Sequence, residues 1–242
     1  MKKIITLFGL MLCMFATAQE AVDTMYIYRN DNVIERIPVS KIDSVVFVAP
    51  TPQYEAVDLG LSVKWATHNV GATKPEEYGG YYAWGETEEK EDYSWSTYKW
   101  CNGSEDTLTK YCTSSSCGAV DNKTVLDPED DVAHVKWGGD WRMPTTEEQR
   151  ELLDNCTWEW TTQNGVNGYK VTGPNGNSIF LPAAGYRNGT DVYLRGNYGY
   201  YWSGSLRRYY SYYACNLVFY GYSYDWSNSN RYCGQSVRPV SK

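Results

Sequence analysis

Six cysteines beyond residue 18 are the most reactive side chains of this 242-residue chain, and their spacing limits the chemistry open to them. An even number of cysteines permits disulfides, but many pairings are possible and the sequence does not select one. Zinc is disfavoured, because the chain has no C-x-x-C pair and only two histidines. We therefore expect disulfides, and no metal or other cofactor, among Cys101, Cys112, Cys117, Cys156, Cys215 and Cys233.

The histidines and acids do not indicate a hydrolase. His68 lies next to a turn and His134 follows an acidic run, positions in which histidine is usually structural. A carboxylate pair for glycoside hydrolysis remains an alternative. The acids that would supply it form one charged run, which is more typical of a solvated surface: Glu86, Glu88, Glu89, Glu91 and Asp92.

Tyrosine is concentrated toward the carboxyl end. Eleven of the 23 tyrosines lie within residues 198–235, among many serines and glycines. This is the composition of antibody-like binding loops, in which rigid rings give contact area and small polar residues adapt. The run from Arg207 to Tyr213 has no period of two, so it does not present one buried strand face. The alternative interpretation is that these tyrosines form the exposed edge of a β domain that is rich in aromatic residues throughout. The predicted ligand-binding residues are Arg207, Arg208, Tyr209, Tyr210, Tyr212, Tyr213, Tyr220, Tyr222, Tyr224, Asp225, Asn228, Asn230 and Tyr232.

Charge and composition argue against nucleic acid as a partner and indicate a globular protein. The net charge of −7 and a pI near 5.0 argue against nucleic acid, which would require a cluster of lysines and arginines. A mean hydropathy of −0.55 with 42% apolar residues is typical of a globular protein. The length fits one large or two small domains.

The first 18 residues have the pattern of a signal peptide. Lys2 and Lys3 precede an apolar run from Ile4 to Phe15, and a small-x-small cleavage site ends at Ala18. The apolar run is too short to span a bilayer, so no membrane-spanning segment is expected. Lipidation at Cys13 is disfavoured because Leu12, a large residue, precedes it. We expect export to the periplasm, the outer cell surface or the medium.

Beyond the leader, the sequence predicts a small β unit, a linker and one larger domain. Residues 19–50 contain two alternating stretches around Asn30, Asp31 and Asn32, which indicates a hairpin, and a further apolar stretch from Val39 to Phe47. Pro50, Thr51 and Pro52 interrupt the strand pattern, so residues 51–54 are predicted to be a linker. Residues 55–242 have short strands, many glycines and little helix.

Two helices are predicted in the larger domain. Asp127 is the expected N-cap of the first, with Pro128 at the first helical position, and a calcium loop of the same acids is the less favoured alternative. Thr145 and Glu148 have the spacing of a capping box that begins the second helix. Trp202 and Trp226 flank the tyrosine-rich region and are expected in the core.

Further strands are predicted in the carboxyl-terminal half. They are expected around Ile179–Leu181, Gly199–Ser205, Ala214–Phe219 and Ser236–Val240. A strand that contains Pro239 should lie at a sheet edge or a strand end.

Four stretches of residues 55–240 resemble a known family. LGLSVKWATHNVGATKPEEYGGYYAWGE, WGGDWRMPTTEEQRELL, GYKVTGPNGNSIFLPAAGYR and the ending YWSGS…NRYCGQSVRPV closely resemble the Fibrobacter succinogenes major paralogous domain family. The segment IPVSKIDSVVF also resembles an N-terminal element of exported Bacteroidetes proteins. The resemblance implies an α+β, C-type-lectin-like domain with paired termini and a loop-rich ligand face. It implies no established activity, because a fold alone does not define a function.

Related families that share this fold suggest the competing functions. Variable proteins of diversity-generating retroelements diversify this carboxyl-terminal region, so the resemblance suggests a diversified binding protein. Formylglycine-generating enzymes hold copper with two nearby cysteines, but Cys215 and Cys233 lie farther apart in sequence and both are expected inside. The sequence thus predicts a non-enzymatic module that binds a protein or glycan. A subunit of a surface appendage is the alternative, and a cysteine-dependent oxidase is the third choice.

Overall fold

The computed structural model describes residues 24–29, 32–42 and 54–242, and the chain divides into two compact units, Met1–Thr51 and Pro52–Lys242. In the first unit, β1 (Thr24–Arg29) and β2 (Asn32–Pro38) pair antiparallel, and a 3-10 turn follows at Val39–Lys41. The predicted hairpin is confirmed. The predicted signal peptide, residues 43–50 and residues 51–53 of the predicted linker lie outside the described ranges.

The second unit consists mostly of antiparallel sheets, with two α-helices in residues 54–242, and is a small α+β or mainly β fold. One sheet is formed by β3 (Ala56–Val57), β4 (Lys64–Ala66) and β13 (Val240–Ser241). Its order is β13-β4-β3, so β4 lies between strands from the two ends of the unit. Pro239 directly precedes edge strand β13, as its missing N–H requires.

Three further sheets are built from neighbours in sequence. The first contains β5 (Thr157–Gln163), β6 (Val166–Thr172) and β7 (Ser178–Pro182). The second is the hairpin of β8 (Tyr186–Asn188) and β9 (Asp191–Tyr193). The third, called the tyrosine-rich sheet below, contains β10 (Tyr198–Leu206), β11 (Tyr213–Tyr220) and β12 (Ser223–Asn230). The strands predicted at Gly199–Ser205 and Ala214–Phe219 are therefore confirmed.

The two helices begin at side-chain caps. In α2 (Thr146–Asn155), Thr145 accepts a hydrogen bond from the Glu148 N–H and Glu148 accepts one from the Thr145 N–H, which confirms the predicted capping box. The other prediction is wrong in its cap: α1 (Val132–Trp137) begins at Asp131, which accepts from the N–H groups of Ala133 and His134. Residues 128–130 form a separate 3-10 turn.

Lysines form ion pairs with two acids of the alternative calcium loop, Asp127 and Asp130. Lys110 lies 2.7 Å from Asp127 and 2.6 Å from Asp130, and Lys123 pairs with Asp127. Asp130 also accepts a hydrogen bond from the Tyr111 hydroxyl. In residues 54–242, Asp127 occupies the N-cap position of the 3-10 turn and Pro128 its first position, as predicted, but the Asp127 side chain pairs with Lys110 and Lys123 and caps no backbone N–H.

The carboxyl-terminal segment crosses the core and is held there by two buried arginines. The Arg238 guanidinium donates to the carbonyl oxygens of Ala66, Thr67 and Phe180 and to Asn69 Oδ1. Burial lowers the Arg238 pKa to about 10. Arg231 is also buried, and it donates to three carbonyl oxygens and the Tyr98 hydroxyl. Because backbone carbonyls accept hydrogen bonds from both cations, Arg231 and Arg238 join distant strands and loops to the carboxyl-terminal segment.

Candidate functional site

The tyrosine-rich sheet presents two faces with different surroundings. Directly opposite residues of antiparallel strands share a face, and Leu217 pairs with Trp226 while Val218 pairs with Asp225. Leu217 and its neighbour Phe219 are buried in the core. The face that carries Leu217 and Trp226 packs against α2, and is called the helix face. The opposite face carries Val218 and is called the outer face.

Six tyrosines form a continuous row on the outer face and the adjoining β8–β9 hairpin. Ring centroids of successive members lie 4.6 to 6.2 Å apart, and most pairs are stacked or edge-on. The end members, Tyr193 and Tyr222, are 44% and 86% exposed. This set is the tyrosine row: Tyr193, Tyr186, Tyr200, Tyr198, Tyr220 and Tyr222.

Two inner members of the row, Tyr186 and Tyr200, have hydroxyl groups that burial keeps protonated. Burial raises the pKa of Tyr186 above its usual value and that of Tyr200 to about 12. Uncharged rings with hydroxyl groups offer both an apolar surface and hydrogen bonds, so the row suits a ligand with alternating apolar and polar groups.

On the helix face, a cleft of about 570 Å³ opens between α2, the β10–β11 loop and β12. Three arginines line it: Arg150 from α2, and Arg207 and Arg208 from the loop. The Arg150 and Arg207 guanidinium carbons lie 4.8 and 5.6 Å from the Trp226 ring centroid, within cation–π range. This cleft is called the arginine cleft.

The predicted binding residues do not form one surface. Tyr220 and Tyr222 belong to the tyrosine row, whereas Arg207, Arg208 and Tyr209 line the arginine cleft. Tyr210, Tyr212 and Tyr213 form a separate ring cluster beside the cleft loop. The other predicted residues lie along β12 or just after it, outside both features: Tyr224, Asp225, Asn228, Asn230 and Tyr232.

Three of those predicted residues are partly engaged by neighbours. Tyr224 stacks on Trp158 with centroids 4.7 Å apart, although its ring is still 39% exposed. Tyr232 packs edge-on against Trp95 at 5.0 Å, and the Asn230 side chain contacts the Tyr232 hydroxyl. These rings therefore contribute to the scaffold as well as to the surface.

Of the two tryptophans expected in the core, one is there and one is not. Trp202 is fully buried and its Nε1 donates to the Tyr82 carbonyl at 2.9 Å. Trp226 is half-buried at the arginine cleft, because β12 is an edge strand and α2 covers only part of its face. The expectation for Trp226 is therefore wrong.

Several site residues lie outside the predicted set. Tyr186, Tyr193, Tyr198 and Tyr200 complete the row, and Arg150 completes the cleft. Tyr198 and Tyr200 alternate across Gly199, a period of two that assigns both to one strand face. Nothing in the local sequence around Arg150 links it to a loop more than 50 residues away.

The two carboxyl-terminal cysteines lie in different environments. Cys215 lines the arginine cleft, and its pKa is raised by burial. Cys233 is buried near Tyr186 and Tyr200, and burial raises its pKa to about 12. All six cysteines of the described ranges are free, so the expected disulfides are not confirmed. In those ranges, moreover, no three His, Cys, Asp or Glu side chains form a metal-binding group.

No protein-family model, curated protein or solved structure matches this chain. Among the residues described, no helix is both long and apolar enough to cross a membrane. The function must therefore be inferred from the tyrosine row and the arginine cleft.

Proposed function

We propose that this protein is an exported, non-enzymatic recognition module that binds a glycan or a protein on its tyrosine row. The resemblance to the Fibrobacter succinogenes major paralogous domain, and through it to C-type-lectin-like binding proteins, supports this proposal. The observation that carries it is the row itself: six rings in contact, with exposed ends, on one side of a sheet. Exposed aromatic patches of this kind usually mark binding sites.

The row is suited to binding because it is already rigid. Tyr198 and Tyr220 are register partners on neighbouring strands and stack at 4.8 Å, so little side-chain entropy is lost when a ligand covers them. Tyrosine is also among the residues that dominate binding energy in interfaces.

The cysteines favour this proposal over the oxidase. Copper binding and thiol oxidation need thiolates, and burial raises the pKa of both Cys215 and Cys233. Cys215 lines a cleft on the helix face, whereas Cys233 lies close to tyrosines of the row.

A glycan array and a surface-protein array test the proposal with three proteins. The wild type should bind at least one ligand, and the Tyr193→Ala/Tyr220→Ala/Tyr222→Ala variant should lose most of that binding, about 2 kcal/mol or more. The control is Tyr210→Ala/Tyr224→Ala, which removes two exposed rings outside both the tyrosine row and the arginine cleft and should bind normally. No binding by the wild type, or equal loss in the control, would contradict the proposal.

A further inference from the structure

Three arginines of the second unit have no charged or hydrogen-bonding partner for their side chains, and all three line the same cleft. Within residues 54–242 there are eight arginines. Five of them donate hydrogen bonds from their guanidinium groups: Arg142, Arg187, Arg195, Arg231 and Arg238. The remaining three, Arg150, Arg207 and Arg208, make no side-chain hydrogen bond or ion pair in these residues, and they line the arginine cleft. Because guanidinium groups usually pair with acceptors, a cleft in which three of them converge favours an anionic ligand.

Trp226 positions two of these cations. The Arg150 and Arg207 guanidinium carbons both lie within cation–π range of its ring. The Trp226 Nε1 is covered and has no hydrogen-bond acceptor in the described ranges, so the ring is not anchored through its polar edge. Its packing thus serves to hold long, flexible arginine side chains at the cleft wall before a ligand arrives.

The charge of the cleft contrasts with that of the chain. Glu147 is the one carboxylate among its lining residues, against three arginines, so the lining carries net positive charge. The whole chain, by contrast, has a net charge of −7. A cleft with low-dielectric walls concentrates such a local field and attracts an anion from solution.

We propose that the arginine cleft binds a carboxylate-bearing sugar residue of an acidic polysaccharide. Arginine matches a carboxylate with two parallel N–H···O hydrogen bonds, which a neutral sugar cannot accept in the same geometry. The volume of about 570 Å³ lies within the usual range for small-ligand sites, so a sugar residue has room.

The other lining groups favour a sugar over an acidic peptide. Thr124 and Ser205 contribute hydroxyl groups, which donate and accept hydrogen bonds as sugar hydroxyls do, whereas an aspartate or glutamate side chain only accepts. Tyr209, 76% exposed at the rim, offers a ring face for the apolar side of a sugar. The proposal does not depend on the tyrosine row, because it uses the helix face of the sheet.

Calorimetric titration with acidic tetrasaccharides tests this inference. The probes are tetramers of galacturonic acid, mannuronic acid and sialic acid, each paired with its methyl ester, which has the same rings without the charge. We expect at least one acid to bind the wild type, about tenfold more tightly than its ester, and more weakly as salt is raised. No binding of any acid, or equal binding of acid and ester, would overturn the proposal.

Variants locate the binding and separate it from the tyrosine row. Arg150→Gln/Arg207→Gln/Arg208→Gln should bind at least about tenfold more weakly. Lys64→Gln, which removes an exposed cation outside the cleft, should bind as the wild type does. The row variant Tyr193→Ala/Tyr220→Ala/Tyr222→Ala should also keep its affinity for the acid.

Three results would contradict the cleft assignment: full affinity in the triple arginine variant, equal loss in Lys64→Gln, or loss in the row variant. Circular dichroism should show that each variant is folded, and the single exposed change Arg208→Gln should give a smaller loss if the triple variant does not fold. A glutamate decamer that binds as tightly as the best sugar acid would assign the cleft to acidic peptides instead.

Discussion

The two faces of the tyrosine-rich sheet are built from the same three strands, yet they differ in chemistry. On the outer face, tyrosine rings contact one another, and burial raises the pKa of the Tyr200 hydroxyl to about 12. On the helix face, α2 packs against all three strands, and a cleft lined by three arginines opens beside it. One face thus offers a continuous row of rings, and the other offers a cleft whose arginines make no side-chain hydrogen bond or ion pair within residues 54–242.

The difference comes from strand alternation and from what packs on each side. Val218 and Tyr220 point outward while Leu217 and Phe219 point into the core, so one strand supplies both faces. A tyrosine-rich segment is therefore not one surface, and substitutions one residue apart should affect different properties. Five predictions test this separation, from the largest expected effect to the smallest.

Replacing the buried tryptophan should cost far more than replacing the one at the cleft. Trp202→Ala removes a fully buried ring and its hydrogen bond to Tyr82, so the free energy of unfolding should fall by about 3 to 5 kcal/mol. Trp226→Ala should cost about 1 to 2 kcal/mol, because its ring is only half-buried. Urea unfolding measures both, and equal losses would mean that Trp226 is a core residue.

Alkaline pH should destabilise the protein through its buried tyrosines. Burial raises the pKa of Tyr98, Tyr111 and Tyr201, and it raises that of Tyr200 in the row to about 12. A pKa raised in the folded state stabilises the fold fully below the unfolded value near 10, and this stabilisation is lost as the pH rises further. Urea midpoints should fall between about pH 10 and 12, and a constant midpoint there would contradict these shifts.

Removing a ring from the centre of the tyrosine row should lower the stability of the protein. Tyr198→Ala removes the stacking partner of Tyr220, and an aromatic pair contributes about 0.5 to 1.5 kcal/mol beyond its buried area. Tyr198→Phe keeps the ring and is the matched control. Thermal unfolding should show a lower melting temperature for the alanine variant alone, and equal melting temperatures would mean that the rings do not support each other.

Acidic pH should destabilise the first turn of α2, the helix that carries Arg150. Burial alone would raise the Glu148 pKa, but hydrogen bonds from Arg142 and Thr145 outweigh it and hold the pKa below its usual value. A lowered pKa gives stability that is present above the unfolded value and lost as the pH falls through the folded one.

Glu148→Gln removes that charge and should cost about 1 kcal/mol near neutral pH, the usual contribution of a helix cap. Because the variant lacks the titrating group, its stability should also fall less than that of the wild type below about pH 4. Urea unfolding at decreasing pH measures this difference. If the free energy of unfolding fell equally for the two proteins, the result would contradict this assignment.

The smallest effect is expected at the arginine of the cleft rim. Arg208 is exposed and its side chain has no hydrogen bond or ion pair in residues 54–242, so Arg208→Gln should change stability by no more than about 0.5 kcal/mol. A clearly larger loss would show that the arginine supports the fold, and would weaken its assignment to a ligand.

Local signals in the sequence predicted much of the fold. The capping box at Thr145 and the strands around Tyr201 and Leu217 depend on spacing within a few residues, and they are confirmed. The cap of α1 differs from the prediction, because Asp127 precedes the separate 3-10 turn of residues 128–130 and α1 begins after Asp131.

The site was predicted less well because it depends on distant contacts. Tyrosine enrichment identified Tyr220 and Tyr222, but Tyr186 and Tyr193 join them through a hairpin that composition does not reveal. Arg150 reaches the cleft because α2 packs across β10–β12, which no local pattern specifies. Of the two tryptophans, only Trp202 on β10 is buried, where it belongs to a hydrophobic core cluster, whereas Trp226 on β12 lines the cleft.

The buried arginines near the carboxyl end also determine when the second unit can fold. Arg231 and Arg238 supply the donors for carbonyls in loops far earlier in the chain, and β13 pairs with β4. During synthesis those earlier segments emerge first, so their carbonyl oxygens can accept these hydrogen bonds only after Arg231 and Arg238 have been translated.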